Sequence, residues 1–148
     1  MPICEGSTRM LEKLLNKLQN ETIIHNKLFE HSEDIDELLD LREEDTFDSK
    51  WMNIFSKVQK AEFTEEIQQY INQIREVAFM KTYQITNSSD ISAYVSDDFE
   101  LIAKCYVIGI DDTWMNGFIL SYANGKFPCG TIEETDVDLF TAMKKLTK

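Results

Sequence analysis

Apolar residues recur at helical spacing over most of the chain, in blocks separated by capping residues. The first block predicts a helix capped by Ser7 or Thr8, and a longer block predicts a helix from Thr64 to about Tyr83. Their apolar positions are Met10, Leu11, Leu14, Leu15 and Leu18, then Ile67, Tyr70, Ile71, Ile74, Val77 and Ala78. The one alternating, strand-like segment, Thr82–Thr86, is expected to continue the longer helix.

The segment from Asp98 to Ile110 is mostly apolar, and from Leu101 onward its only breaks are Lys104 and Gly109. It is too short to span a bilayer, and a helix that is apolar on nearly all sides is a buried one. Asn87, Ser88 and Ser89 predict a break followed by a short helical turn through Tyr94. Asp97 and Glu100 then match a capping box, so we expect the central helix to begin there and to end at Gly109.

Two further helices are expected after this central one. Asp111 or Asp112 is a predicted cap for a helix from Thr113 to Asn124, in which Trp114, Phe118 and Tyr122 share one face. Asn124, Gly125 and Pro128 form a typical terminator. The last helix is predicted over 136–146, with Val137, Leu139, Phe140 and Met143 facing inward.

Between the first two blocks, the pattern predicts two shorter helices. Ser32 caps one with a thin apolar stripe, and Asp45, Thr46 or Asp48 caps the other. The stripes comprise Ile35, Leu38, Leu39 and Leu41, then Trp51, Ile54, Phe55 and Val58. The chain is therefore predicted to be all-α, a single compact domain (1–148) of about six to seven helices. Its parts would be an acidic amino-terminal half (1–62), a central helical core (63–128) and the carboxy-terminal helix (136–146).

The size and the cysteine content favour a soluble protein of a reducing compartment. A chain of 148 residues buries enough surface to need no disulfide or metal. Cys4, Cys105 and Cys129 are odd in number and lack metal-binding spacing, and Cys105 can serve as a small hydrophobe. The first residues have no signal-peptide pattern. We expect a cytoplasmic protein without a membrane partner, and the oligomeric state stays open.

Charge is unevenly distributed along the chain. The net charge is −12, and the nineteen residues from Glu30 to Asp48 hold ten acids against one base, Arg42. This balance argues against direct nucleic-acid binding. The acidic segment is either a solvated face or a recognition surface for a cationic protein, with Ile35, Leu38, Leu39, Leu41 and Phe47 as apolar anchors. The predicted partner-binding residues are Glu33, Asp36, Glu37, Asp40, Glu43, Glu44 and Asp45.

The sequence offers little support for catalysis. No nucleophile elbow, phosphate loop or dinucleotide motif is present, and His25 and His31, six residues apart, match no metal motif. We therefore predict no catalytic residue, no metal and no cofactor. Asp97–Asp98 and Asp111–Asp112 are interpreted as helix caps, and a metal-dependent hydrolase built on these four carboxylates is the enzymatic alternative.

One stretch of the sequence resembles a known family. The pattern YVSDDFELI, then IDDTWMNGF, then SYANGKFP, within Ser89 to Pro128, is similar to the carboxy-terminal part of small acidic immunity proteins of bacterial contact-dependent inhibition and related polymorphic toxin systems. The resemblance implies a non-catalytic antitoxin that blocks a toxin domain delivered by a neighbouring cell. It also implies a basic nuclease as partner, with an EndoU-like ribonuclease as the first subtype to test.

An acidic surface also has another interpretation. It could mimic DNA and inhibit a nucleic-acid-binding protein, which requires carboxylates spaced like phosphates along an elongated face. The spatial extent of the acidic surface separates this hypothesis from the immunity hypothesis.

Overall fold

The computed structural model describes residues 5–30 and 34–148 of the chain. Within these residues it has seven α-helices, one 3₁₀ helix and no strand, which confirms the all-α prediction. The α-helices are α1 (Glu5–Gln19), α2 (Ile35–Glu43), α3 (Asp45–Val58), α4 (Glu65–Thr86), α5 (Ser89–Ile108), α6 (Thr113–Ala123) and α7 (Leu139–Leu146), and the 3₁₀ helix is Asn26–Phe29. In the part of the chain described, no helix is both long and apolar enough to cross a membrane.

α5 lies at the centre of the fold, as its apolar sequence predicts. It packs against α1, α2, α3, α4 and α7. Ile91, Val95, Phe99, Ile102 and Cys105, spaced three or four residues apart, are all fully buried. All five belong to one contiguous apolar cluster, so α5 contributes to the core along most of its length.

α4 and α5 form a helical hairpin against which α1 packs. The corner is Asn87, whose left-handed backbone (φ 55°) ends α4, and Ser88, whose Oγ accepts a hydrogen bond from the Ile91 amide at 3.2 Å. α4 extends to Thr86, three residues beyond the predicted end. The strand-like segment is therefore helical, as expected.

The predicted start of the central helix at Asp97 is wrong. α5 begins at Ser89 and runs without a break through Tyr94, so Asp97 and Asp98 lie in its interior. The spacing that resembles a capping box has another cause: Asp97 and Glu100 both bind Arg75 of α4, at 3.2 and 3.3 Å. An i, i+3 acidic pair on a helix surface has the same spacing as a capping box.

Side-chain caps occur at several helix starts, and the sequence predicts only some of them. Asp112 caps α6 as predicted, with a bond from the Met115 amide (2.9 Å), and Thr64, the predicted start of the longer helix, caps α4 with a bond from the Ile67 amide (3.3 Å). Asp34 caps α2, while the predicted Ser32 lies outside the described residues. The remaining predictions are wrong. Ser7 and Thr8 lie inside α1, and Asp45, Thr46 and Asp48 lie inside α3. The last helix begins at Leu139, three residues after the predicted start, and Asp138 caps it.

The aromatic stripe of α6 is buried, as predicted: Trp114, Phe118 and Tyr122 face the core. The final helix differs. α7 begins at Leu139, and its inward face includes Leu139, Met143 and Leu146. Phe140 follows Leu139 directly, so it lies about 100° away around the helix. Phe140 is 55% exposed, so its predicted inward position is wrong.

Candidate partner-binding surface

The acidic face consists of exposed carboxylates on α2 and at the start of α3. Its described members are Asp36, Glu37, Asp40, Glu43, Glu44 and Asp45, all of them exposed. Asp36, Asp40 and Glu43 follow one another at i, i+4 and i+7, so they share one side of α2. The seventh predicted residue, Glu33, lies outside the described residues. The structure thus leaves six of the predicted residues exposed and places three of them on one side of α2.

α2 and α3 both begin within this acidic segment. Their positive amino-terminal ends offset part of the repulsion between the carboxylates. Asp34 caps α2 by accepting a hydrogen bond from the Asp36 amide at 3.0 Å, and Asp36 and Glu37 lie in the first turn. Glu44 has an extended backbone between α2 and α3, and Asp45 and Asp48 lie in the first turn of α3. Carboxylates are favourable at the positive end of the helix dipole.

Most carboxylates of the acidic face have no cationic partner within the described part of the chain. Across residues 5–30 and 34–148, no lysine or arginine forms an ion pair with Asp36, Asp40, Glu44 or Asp45. The single base of the segment, Arg42, points into the protein. The face therefore presents its negative charge to the outside.

Beneath the acidic face, Arg42 binds a fully buried carboxylate on α5. Its two terminal nitrogens donate to the two oxygens of Asp98 at 2.8 and 2.7 Å. Trp51 Nε1 of α3 and the Tyr122 hydroxyl of α6 also donate to Asp98, at 3.0 and 2.5 Å. These four residues form the Asp98 network, in which each carboxylate oxygen accepts two hydrogen bonds.

Aromatic rings surround the Arg42 guanidinium. Phe47 of α3, Tyr94 of α5 and Phe127, which follows α6, lie 4.5, 5.0 and 5.2 Å from its central carbon. A planar guanidinium can stack on aromatic faces while it binds a carboxylate. Arg42 Nε has no hydrogen-bond partner among the described residues. Arg42 thus contacts three separate elements besides its own helix.

The protonation states of the network follow from its environment. Burial acts to lower the pKa of Arg42, but the charge and hydrogen bonds of Asp98 outweigh it and the pKa is raised. Burial, and then the negative charge of Asp98, raises the pKa of Tyr122 well above its ordinary value. Arg42 is therefore cationic and Tyr122 is protonated, so both side chains donate hydrogen bonds to Asp98.

Contacts at the edge of the network join it to the acidic face. The Tyr94 hydroxyl donates to Glu43 at 3.2 Å. The backbone amide of Gly130 donates to the carbonyl of Leu41 at 3.2 Å, so the segment after α6 is bonded to α2. The acidic helix is thereby connected to α5 and to the segment that carries Phe127.

The two aspartate pairs act as separate structural contacts. Asp98 is the buried acceptor described above and Asp97 pairs with Arg75, so neither is a cap. Asp112 caps α6, and Asp111 accepts hydrogen bonds from Asn116 Nδ2 (2.6 Å) and the Leu139 amide (3.1 Å). No group of three or more His, Cys, Asp or Glu in the described residues is placed to hold a metal. The hydrolase hypothesis therefore lacks an assembled site.

A polar cleft of about 490 Å³ lies between α6 and the segment that follows it. Its acidic lining residues are Glu133 and Glu134, and the Thr113 hydroxyl donates to Glu134 at 2.6 Å. Gly117 permits the close approach of the two walls, since a Cβ at this position would lie 2.2 Å from the Glu133 carbonyl oxygen. The segment that lines this cleft includes Phe127 and Cys129, so the cleft adjoins the part of the chain that is bonded to α2.

The described cysteines do not have the properties of nucleophiles. Burial raises the pKa of the Cys105 thiol to about 12, and burial also raises the pKa of Cys129. Cys105 fills a core position, as predicted. His25 is half-buried rather than on the surface, and its Nδ1 has no partner in the described part of the chain. Cys4 and His31 lie outside it.

Sequence reasoning missed the Asp98 network. The sequence pattern predicts a cap at Asp98 and leaves Arg42 as a lone base in an acidic run, and the two positions lie 56 residues apart. One signal could have identified them. An aspartate at the start of a buried apolar run needs a partner of opposite charge, and Arg42 is the one base of the acidic segment.

A protein-family model described as Immunity protein PIM1 matches residues 13–129, most of the 148-residue chain. The match includes α2, the acidic face and all four residues of the Asp98 network. It confirms the resemblance to immunity proteins inferred from Ser89–Pro128. No curated protein matches the chain.

Proposed function

The chain belongs to the PIM1 family of immunity proteins, and we propose that it neutralises a basic toxin domain by binding it through the acidic face. Family membership supports an antitoxin whose partner is a protein toxin. The observation that carries the finer proposal is that Asp36, Asp40, Glu44 and Asp45 are exposed and form no ion pair with a lysine or arginine of the described residues. Such a surface attracts a cationic partner over several ångströms and sets the orientation of the encounter.

We propose that the toxin is a nuclease, with an EndoU-like ribonuclease as the first subtype to test. A nuclease binds a polyanion, so its substrate cleft needs positive charge. The acidic face complements such a cleft and would compete with nucleic acid for it. The chain itself would act as a non-catalytic inhibitor, in the cytoplasm where the incoming toxin meets its substrate.

The apolar anchors of this surface differ from those expected. Leu38 and Phe47 are buried, so they are not free to contact a partner. Ile35, Leu39 and Leu41 are half-buried, and the first two pack against the core. Met52 is the alternative, because it is 46% exposed and lies on α3 seven residues after Asp45. An i, i+7 spacing places the two on one side of the helix. Met52 is therefore the proposed apolar contact beside the acidic face.

The shape of the acidic face disfavours the DNA-mimic alternative. α2 has nine residues and is about 13 Å long, less than half of one ~34 Å turn of DNA. A mimic needs carboxylates along a longer path. A compact patch fits the cleft of one enzyme better.

The direct test is co-expression with the catalytic domain of a toxin encoded beside the gene of this protein. We expect protection of the cells, a stable complex in solution and inhibition of nuclease activity. Absence of a complex with that toxin contradicts the proposal. A complex that forms without inhibiting the nuclease would support this toxin as the partner and contradict the mechanism in which the cleft is blocked.

A further inference from the structure

We propose that Arg42 and Asp98 are positioning residues, which hold α2 in the one rotation that presents the acidic face to the toxin. The inference rests on the proposed function, because it concerns how the proposed binding surface is held. It assigns a binding role to two side chains that a toxin would not touch.

Apolar packing alone holds α2 weakly. The helix has nine residues, and its only buried side chains are Leu38 and Arg42. Hydrophobic contact is proportional to area and has no preferred direction. Besides this one buried leucine, α2 has only the partly buried Ile35 and Leu39 against the core, and such non-directional contacts leave the rotation and tilt of a helix of two and a half turns poorly determined.

The Arg42–Asp98 pair supplies the missing direction. Leu38 and Arg42 are four residues apart, so they define the inner side of α2, opposite the exposed Asp36 and Asp40. The two parallel bonds from one planar guanidinium to one carboxylate restrict the rotation as well as the distance. Asp98 is itself oriented by Trp51 and Tyr122, so it cannot follow a rotating helix.

The contacts around the pair extend this positioning to the acidic face. Arg42 stacks against Phe47, which lies three residues after Glu44. Tyr94, a second ring beside Arg42, donates to Glu43 at 3.2 Å. Movement of Arg42 would therefore displace carboxylates on both α2 and α3.

The test compares Asp98→Asn with Asp97→Asn. Both changes remove one charge at neighbouring positions and keep the side-chain shape, but Asp97 is half-exposed and binds Arg75 of α4. We would measure amide hydrogen exchange in α2 and α4, and affinity for a catalytically inactive form of the toxin encoded beside the gene. For Asp98→Asn, we expect about tenfold faster exchange in α2 with α4 unchanged, and about tenfold weaker binding. Asp97→Asn should match the original chain in α2 exchange and in binding.

Trp51→Phe provides a milder variant if Asp98→Asn does not fold. It removes one donor to Asp98 while an aromatic ring remains against Phe55, whose ring lies 5.7 Å from that of Trp51. We expect a smaller effect in the same direction, confined to α2. A merely structural role would instead accelerate exchange in α2 and α4 together.

Several results would overturn the inference. These are unchanged exchange in α2, equal acceleration in both helices, or faster α2 exchange with unchanged affinity. A variant with all six residues of the acidic face changed to amides separates this inference from the proposed function. If that variant loses binding while Asp98→Asn keeps it, only the positioning role fails. If the six-residue variant binds like the original chain, or if the original chain binds no such toxin, the proposed function fails and the inference with it.

Discussion

The α1–α4–α5 bundle and helix α2 are held in place by different forces. In the bundle, apolar faces several turns long meet one another, with Leu14, Ile71 and Ile102 among the fully buried side chains. α2 buries only Leu38 and Arg42 completely, and Arg42 forms an ion pair with the buried Asp98. The first mode depends on buried area, and the second depends on the geometry of one contact.

The difference follows from what each sequence can bury. α4 has 22 residues and repeats apolar residues along its length, whereas α2 has nine residues and keeps an acidic outer side. A short helix with a charged exterior has few positions left for apolar contact. A directional contact compensates, but it stabilises the fold only while both charges are present, because a buried charge without its partner is costly.

The largest expected effect on stability comes from breaking that contact on one side. Arg42→Met leaves the Asp98 carboxylate buried without its cation, which should cost about 3–5 kcal/mol in the free energy of unfolding. Urea denaturation measures the loss. The double variant Arg42→Met/Asp98→Asn should recover a large part of it, since no buried charge then remains. A loss below about 1 kcal/mol for the single variant would show that the pair is not buried in solution.

Removal of a large apolar side chain should cost a similar amount by another mechanism. Trp114 is 5% exposed, and its ring packs against Phe47 and Phe118 with centroids 5.5 Å apart in each pair. Trp114→Ala should lower stability by about 3–5 kcal/mol through lost burial and an unfilled cavity. The melting temperature measures it. An unchanged melting temperature together with lost toxin binding would instead place Trp114 in the partner interface.

The parts of the fold that the sequence predicts are those with local signals. α4 and α6 follow from apolar periodicity with Thr64 and Asp112 as caps, and Gly109 (φ 87°) ends α5 as expected. The start of α5 is mispredicted because Asp97 and Glu100 have the spacing of a cap but bind Arg75, more than twenty residues away. Local spacing cannot distinguish these two uses of the same residues.

The exposed acidic face can be predicted from the sequence, whereas the buried residues beneath it cannot. Composition identifies the exposed carboxylates from Asp36 to Asp45, because a dense run of acids has to remain near solvent. It does not identify what lies beneath them, since Arg42, Trp51, Asp98 and Tyr122 come from four helices. Their proximity is a property of helix packing, which no pattern within one segment encodes.

A moderate effect is expected where the cleft wall approaches α6. Gly117→Ala would bring a methyl group to 2.2 Å from the Glu133 carbonyl oxygen, a backbone atom that cannot rotate away. We expect a loss of about 1–3 kcal/mol, although alanine favours a helix over glycine by about 1 kcal/mol. Gly109→Ala is a useful comparison, because no atom lies within 4 Å and its cost arises from the positive φ alone. A gain in stability for Gly117→Ala would mean that the segment moves away freely.

The smallest effect on stability should accompany the largest change in charge. Conversion of Asp36, Glu37, Asp40, Glu43, Glu44 and Asp45 to the corresponding amides alters exposed side chains only. The free energy of unfolding should change by no more than about 0.5 kcal/mol, with relief of repulsion offsetting weaker helix-dipole interactions. Urea denaturation under the conditions used for Arg42→Met would measure this change and show whether α2 tolerates the loss of its charges.

The same variant should bind the toxin poorly. At low salt we expect association at least about tenfold slower than for the original chain, and the difference should shrink as rising salt shortens the Debye length below ~8 Å. A matched control changes six exposed carboxylates elsewhere to amides: Glu12, Glu62, Glu65, Glu66, Glu76 and Asp90. Equal slowing in both variants would show that net charge alone attracts the toxin. Unchanged association in the acidic-face variant would leave α2 as a solvated helix, and the binding surface would then have to be sought at the cleft of Glu133 and Glu134.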